Sequence, residues 1–291
     1  MPSLIDFRRR IRSVKNTQQI TKAMKMVSAA KLRRAQDRVI AARPYAAQMR
    51  EMLANLVQAA QSDERAGESP WLTVREPKRI DLIFITSDKG LAGAFNSNLI
   101  KASQRFFEEN PGAEISISLV GRKGRDFYRR RSGKILGEHI NLLAKPSYPD
   151  ACEIAREVIR RYRSGETDAV YIINNDFKSV MAQTLSVIQL LPLSLNPAAG
   201  EQTAVAKDYI YEQSPIDMLN RLMPRYIEVA VFRAMLETAA AEHAARMTAM
   251  DKASSNAKDV IESLTLYMNR VRQAAITKEI IEVVSGAAAA S

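Results

Sequence analysis

Cysteine occurs once in the 291 residues, at Cys152, so the chain can make neither an internal disulfide nor a thiolate metal cluster. The two histidines, His139 and His243, stand far apart and lack metal-ligand spacing. Aromatic residues make up 6% of the chain and alanine is abundant, which favours helices over a β-sandwich. No stretch approaches the roughly 18–20 uninterrupted apolar residues that cross a bilayer. The opening "MPSLIDFRRRIRSVK" grows more basic where a secretory signal would turn apolar, so the chain is expected to stay in the compartment where it is made. No Ser/His/Asp, Cys/His or HExxH arrangement is present. Catalytic residues, metals and cofactors are therefore not expected.

What is present is positive charge, unevenly placed. Residues 1–60 carry 13 Lys/Arg against 3 Asp/Glu, while the whole chain nets +11. Nearly all the excess thus sits on one N-terminal segment, which must face an acidic protein surface, a membrane or a nucleic acid.

That segment has no glycine before Gly67 and one internal proline, Pro44. It is expected to form a long helix over about residues 3–58, capped by Ser3 with Asp6 in the capping-box position. Leu4, Phe7, Ile11 and Val14 begin an apolar stripe, which slips at "NTQQ" and resumes at Ile20, Met24 and Val27. The C-terminal segment is more regular. Met247, Met250, Ser254, Ala257, Ile261, Leu264, Met268, Val271 and Ala275 follow one another in strict 3–4 steps, a coiled-coil seam. It extends upstream through Leu219, Leu222, Tyr226, Val229, Phe232 and Leu236, and Gly286 is expected to end the helix. A rod with so thin an apolar face must bury it against a partner. The helix at the other end of the same chain is the nearest one, giving an antiparallel pair.

The middle of the chain changes character. "RIDLIFIT", "EISISLV" and "AVYIINN" resemble strands separated by helical patterns at about 94–109 and 149–163. Strand, helix, strand, helix implies a parallel sheet with crossovers. A short strand is expected at "DYIYE" (208–212). The expected division is 1–60 and 213–291 as coiled-coil helices and 75–212 as an α/β domain.

"SDKGLAGAFN" (87–96) follows the first strand and invites comparison with a phosphate-binding turn. Its lysine precedes the glycines, no Ser/Thr stands where magnesium would be held, and only Gly90 and Gly93 are present. "GRKGRD" (121–126) is read as a basic turn at a helix start. Phe7 and Tyr45 are too far apart in the basic segment to make a base-stacking surface. A protein-facing coiled coil is the leading reading; a nucleic-acid-binding coiled-coil arm is the alternative, and a nucleotide-dependent α/β enzyme the third.

Three stretches carry a resemblance: "RIRSVKNTQQITKAMKMVSAAKLRRAQ" (10–36), "ITSDKGLAGAFNSNL" (85–99), and "EHAARMTAM" (242–250) with "NRVRQAAITKEIIEVVSGAAA" (269–289). They resemble the gamma subunit of the bacterial F-type ATP synthase. The resemblance implies an antiparallel two-helix coiled coil with a Rossmann-like α/β domain. It implies a non-catalytic shaft, needing no cofactor, that turns inside a ring of alpha and beta subunits. The α/β domain would stand on the membrane rotor ring of c subunits. Epsilon and an inhibitor protein are further implied partners, and nucleic acid is not one.

Matched position by position, Met24 corresponds to a methionine whose surroundings govern coupling, and Arg246, Gln273 and Thr277 to residues implicated in that coupling. Arg272 with Gln273 matches a catch contact to a beta subunit. Arg33 and Arg34 would attract acidic loops on the beta subunits, and Lys89 would face the lower rim of the ring. Tyr211 and Glu212 would meet the rotor ring. A single Cys152 excludes the cysteine-pair switch of the chloroplast form. A start at Met1 without a targeting sequence points to the cytoplasmic face of a bacterial energy-transducing membrane.

Overall fold

The computed structural model describes residues 4–60, 69–73, 75–131, 133–180, 182–193 and 213–290, with only the backbone over 286–290. Elements are numbered in chain order: α1 Leu4–Ala60, β1 Arg79–Ile85, α2 Phe95–Glu109, β2 Glu114–Val120, α3 Arg122–Tyr128, β3 Lys134–His139, α4 Tyr148–Arg163, β4 Ala169–Phe177, β5 Gln183–Leu191 and α5 Pro215–Ala290. By compactness the chain divides into two units, Met1–Ala29 with Arg246–Ser291, and Ala30–Ala245.

The first unit is a pair of antiparallel helical segments. The rings of Phe7 and Tyr267 lie 5.1 Å apart, Gln18 Nε2 donates to the Ser254 carbonyl at 3.4 Å, and Lys25 Nζ meets Asp251 Oδ1 at 2.5 Å. On α5 the less exposed positions are those of the expected seam, with Met250 and Ala257 buried. On α1 the expectation needs correction. The covered positions run Phe7, Ile11, Val14, Gln18, Thr21, Lys25, Ser28 without a slip, in unbroken 3–4 steps. Ile20 and Val27 are 60% and 55% exposed. The heptad continues through polar residues, so a search for apolar side chains alone loses the seam.

The second unit holds a five-stranded sheet in the order β3-β2-β1-β4-β5. β1 to β4 run parallel and β5 returns antiparallel to β4. Every residue from Ile80 to Ile85 is buried, as expected of a strand covered on both faces. Leu99 and Phe106 of α2 are buried, and Ala151, Ile154, Ala155, Val158 and Tyr162 form the buried face of α4. Ser147 caps α4 by accepting from the Asp150 amide, with Pro149 in the first turn. Leu53, Leu56 and Val57 of α1 join Leu219, Met223, Ile227 and Val231 of α5 in the same core as α4 and Trp71. The α5 face most deeply buried here is Leu219, Met223, Ile227 and Val231; of the expected stripe Leu219 and Leu236 are buried, while Leu222, Tyr226 and Phe232 pack against the core only partly buried.

Two further differences are physical. β3 was not anticipated, because "KILGEH" is short and polar, as a charged edge strand can be. α5 continues past Gly286 to Ala290. A glycine costs a helix only about 1 kcal/mol, and four alanines follow it here. Ser3 and the strand expected at 208–212 lie outside the described residues.

Candidate partner-contact surfaces

The turn after β1 is laced to its neighbours. Asp88 Oδ1 accepts from the backbone amides of Arg122 at 3.0 Å and Asn141 at 2.9 Å. Asn96 Oδ1 accepts from the amide and hydroxyl of Ser87 at 3.1 and 2.9 Å, and Ser87 in turn accepts the Lys123 amide at its carbonyl, 3.0 Å. The Thr86 hydroxyl accepts from the Gly124 amide at 2.8 Å. Gly121 has φ +97°, and a Cβ there would sit 2.0 Å from the Thr86 carbonyl oxygen. Only glycine lets β2 leave the sheet so close to β1. The turn presents Lys89 and Arg122 to solvent, a cationic surface.

The other candidate residues fall on the helices. In the first unit Met24 is half-buried and Arg246 is buried. The register set by Lys25 and Asp251 offsets these two by six residues, about 9 Å along the helix axis. Arg272, Gln273 and Thr277 are exposed on α5, where the Thr277 hydroxyl donates to the Gln273 carbonyl at 2.9 Å. Tyr267 lies against Phe7, so α5 beyond about residue 271 runs past the described start of α1. There Ile276, Ile280, Ile281, Val283 and Val284 are exposed. In the second unit Arg33 and Arg34 are exposed on α1. Tyr211 and Glu212 lie outside the described residues.

The basic turn expected at "GRKGRD" extends into a larger basic concentration that sequence reasoning missed. Arg122, Lys123, Arg125, Arg129, Arg130 and Arg131 crowd α3 and its exit. Asp126 and Glu138 neutralise only Arg125 and Arg129. Acidic residues elsewhere beyond residue 60 offset it in the net charge. It also missed Glu237, a carboxylate on the most alanine-rich part of α5. Glu237 is buried, accepting from Arg43 and from the Phe177 amide. Among the described residues no helix is long and apolar enough to cross a membrane.

A model of the ATP synthase family matches residues 3–290. The chain is 61% identical over 290 residues to the ATP synthase gamma chain of Solibacter usitatus (strain Ellin6076), covering 100% of both. It is 49% identical over 288 residues to that of Geobacter sp. (strain M21), covering 98% of each. Among solved structures it is similar to a chain of the Tetrahymena thermophila mitochondrial ATP synthase central stalk and c-ring, with TM-score 0.59 and 26% identity over 81% of this chain and 99% of that one. A chain of the Euglena gracilis mitochondrial ATP synthase shares the fold, with TM-score 0.65 and 18% identity over 98% and 94%.

Proposed function

This chain belongs to the ATP synthase gamma-chain family, and from that premise we propose that it is the central rotor shaft of an F-type ATP synthase. It couples proton flow through the membrane sector to ATP synthesis or hydrolysis on a surrounding ring of alpha and beta subunits. The shaft is the helical pair of residues 1–60 and 213–291, and the α/β domain of residues 75–212 stands on the c ring with epsilon beside it. The chain breaks no bonds itself and works at the cytoplasmic face of the membrane.

The observation that carries this reading is the first unit. Two antiparallel helical segments meet along a seam that is largely polar on α1, and α5 then runs past the described start of α1 with five exposed branched apolar residues. Such an end is stable only inside a protein sleeve. The basic residues on the outside of α1 supply attraction to acidic loops of the ring. Charge contacts weaken gradually with distance, so they suit a surface that slides. Met24, Arg246, Arg272, Gln273 and Thr277 transmit coupling, Arg33, Arg34 and Lys89 supply charge contacts to the ring, and Tyr211 and Glu212 meet the rotor ring.

The test is ATP hydrolysis by co-expressed alpha and beta subunits with and without this chain, and by this chain alone. Turnover that appears only in the co-purified three-subunit complex is the expected outcome. Turnover by the isolated chain, or a ring whose activity ignores its presence, would refute the shaft.

A further inference from the structure

We propose that the second unit carries a binding cleft for a small aromatic anion bearing a hydrogen-bond donor. Two adjoining cavities share Val229 and Arg233 of α5. The outer one, about 400 Å³, lies among Ala42 and Tyr45 of α1, Tyr148 of α4 and Arg225 and Phe232 of α5. That volume is within the range of clefts that hold small molecules. The inner one, about 50 Å³, reaches Asn174 and Asp176 of β4.

The two cavities ask for different chemistry. In the outer one the walls are aromatic and aliphatic, and the charged lining residues are Arg225 and Arg233. Arg225 leans on Glu228 at 3.0 Å, and Arg233 lies 3.9 Å from Glu237. Both guanidiniums keep further N–H groups for an anion. Burial and the bond to Glu228 push the Tyr148 hydroxyl up to about 12, so this wall stays uncharged.

In the inner cavity Asn174 is 1% exposed and its Oδ1 has no hydrogen-bond partner. Its Nδ2 donates to Asp176 Oδ1 at 3.0 Å, which fixes the free end of the amide as the oxygen. A buried acceptor left without a donor is costly. That acceptor calls for an N–H or O–H group, in a cavity whose wall also carries Arg50, Arg233 and the Asp176 carboxylate. A ligand therefore lays a flat apolar body against Tyr45 and Phe232, sets its anion between the arginines and points a donor inward. Once seated it bridges α1, α4 and α5.

The probe is 8-anilinonaphthalene-1-sulfonate, which combines aromatic rings, a sulfonate and an N–H. Titrated into the full chain by fluorescence, it should show one saturable site above the diffuse binding of the exposed apolar residues on α5. Arg233→Glu should weaken that site at least tenfold. Asn174→Leu, which removes the unpartnered acceptor at similar volume, should weaken it several-fold, and Val229→Trp should fill the cleft and abolish it. Circular dichroism melting checks that each variant folds; should Val229→Trp not fold, the other two carry the test. Saturable binding unchanged in Arg233→Glu and Asn174→Leu, or no saturable site, would overturn the proposal. So would loss of the site on assembly with alpha, beta and epsilon subunits, which would make the cleft a subunit contact.

Discussion

Arg43 of α1 grips the buried Glu237 of α5 with two nitrogens, Nε to Oε1 at 3.1 Å and Nη2 to Oε2 at 3.2 Å. The same Arg43 Nη2 donates to the Phe177 carbonyl at 2.7 Å, and Glu237 Oε2 accepts from the Phe177 amide at 3.0 Å. One ion pair thus ties both long helices to the carboxyl end of β4. The Glu237 side chain is 2% exposed and that of Arg43 is 45% exposed. Removing the arginine leaves the buried carboxylate with the Phe177 amide at 3.0 Å and Arg233 at 3.9 Å, and solvent at the Arg43 end tempers the loss further. Arg43→Met should cost about 2 kcal/mol in urea unfolding. Arg43→Lys, which cannot make the fork, should recover less than half of that. Wild-type stability in Arg43→Met would deny the clamp.

Gly121 is a second point where the fold allows no substitute. With φ +97° and the Thr86 carbonyl oxygen 2.0 Å from a hypothetical Cβ, Gly121→Ala should lose about 3 kcal/mol or more, or fail to fold. Gly112→Ala is the control, since nothing lies within 4 Å of a Cβ there. Its melting temperature should hardly move.

Much of this architecture was legible in the sequence because its signals were periodic or continuous. The 3–4 spacing from Met247 to Ala275 and the apolar run Leu82–Ile85 of β1 each left a single structural solution. The α1 seam was obscured because Gln18, Thr21, Lys25 and Ser28 occupy it while Ile20 and Val27 face outward. β3 hid in a polar hexapeptide. The residue order of the turn after β1 argues against a phosphate loop. That Asp88 ties it to its neighbours depends on amides of Arg122 and Asn141, which no local pattern brings together. Glu237 and the Asn174 cleft likewise depend on elements distant in the chain.

The polar seam of α1 predicts an asymmetry between stability and use. Thr21 and Ser28 are buried, and the Thr21 hydroxyl is satisfied by the Gln18 carbonyl of its own helix at 3.0 Å. Thr21→Val with Ser28→Ala exchanges buried hydroxyls for apolar atoms and raises helix propensity. Together they should stabilise the helical pair by about 1 kcal/mol. Far-UV circular dichroism melting of the full chain reads this directly. A lower melting temperature would mean the hydroxyls are structural assets across the seam.

Arg33 and Arg34 stand exposed on α1, so reversing them should leave folding almost untouched. If they supply the attraction to acidic loops of the ring, Arg33→Glu with Arg34→Glu should lower ATP-driven proton pumping severalfold more than it lowers hydrolysis. Pumping and hydrolysis that fall in proportion would assign the arginines to assembly instead.

Acid stability turns on Asp168. Burial pushes its carboxyl upward, but Arg79 outweighs that by donating its backbone amide at 2.9 Å and its side-chain Nη2 at 2.8 Å, leaving the group below the ordinary carboxylate value. The folded chain therefore binds this proton less readily than the unfolded one. The stabilisation is complete above the unfolded value and fades as pH falls through the folded one, from about pH 4 downward. Asp168→Asn should lower the urea midpoint at neutral pH and flatten its fall in acid, so that the variant and wild-type curves converge. Parallel curves over the acid range would show that Asp168 contributes nothing through its charge.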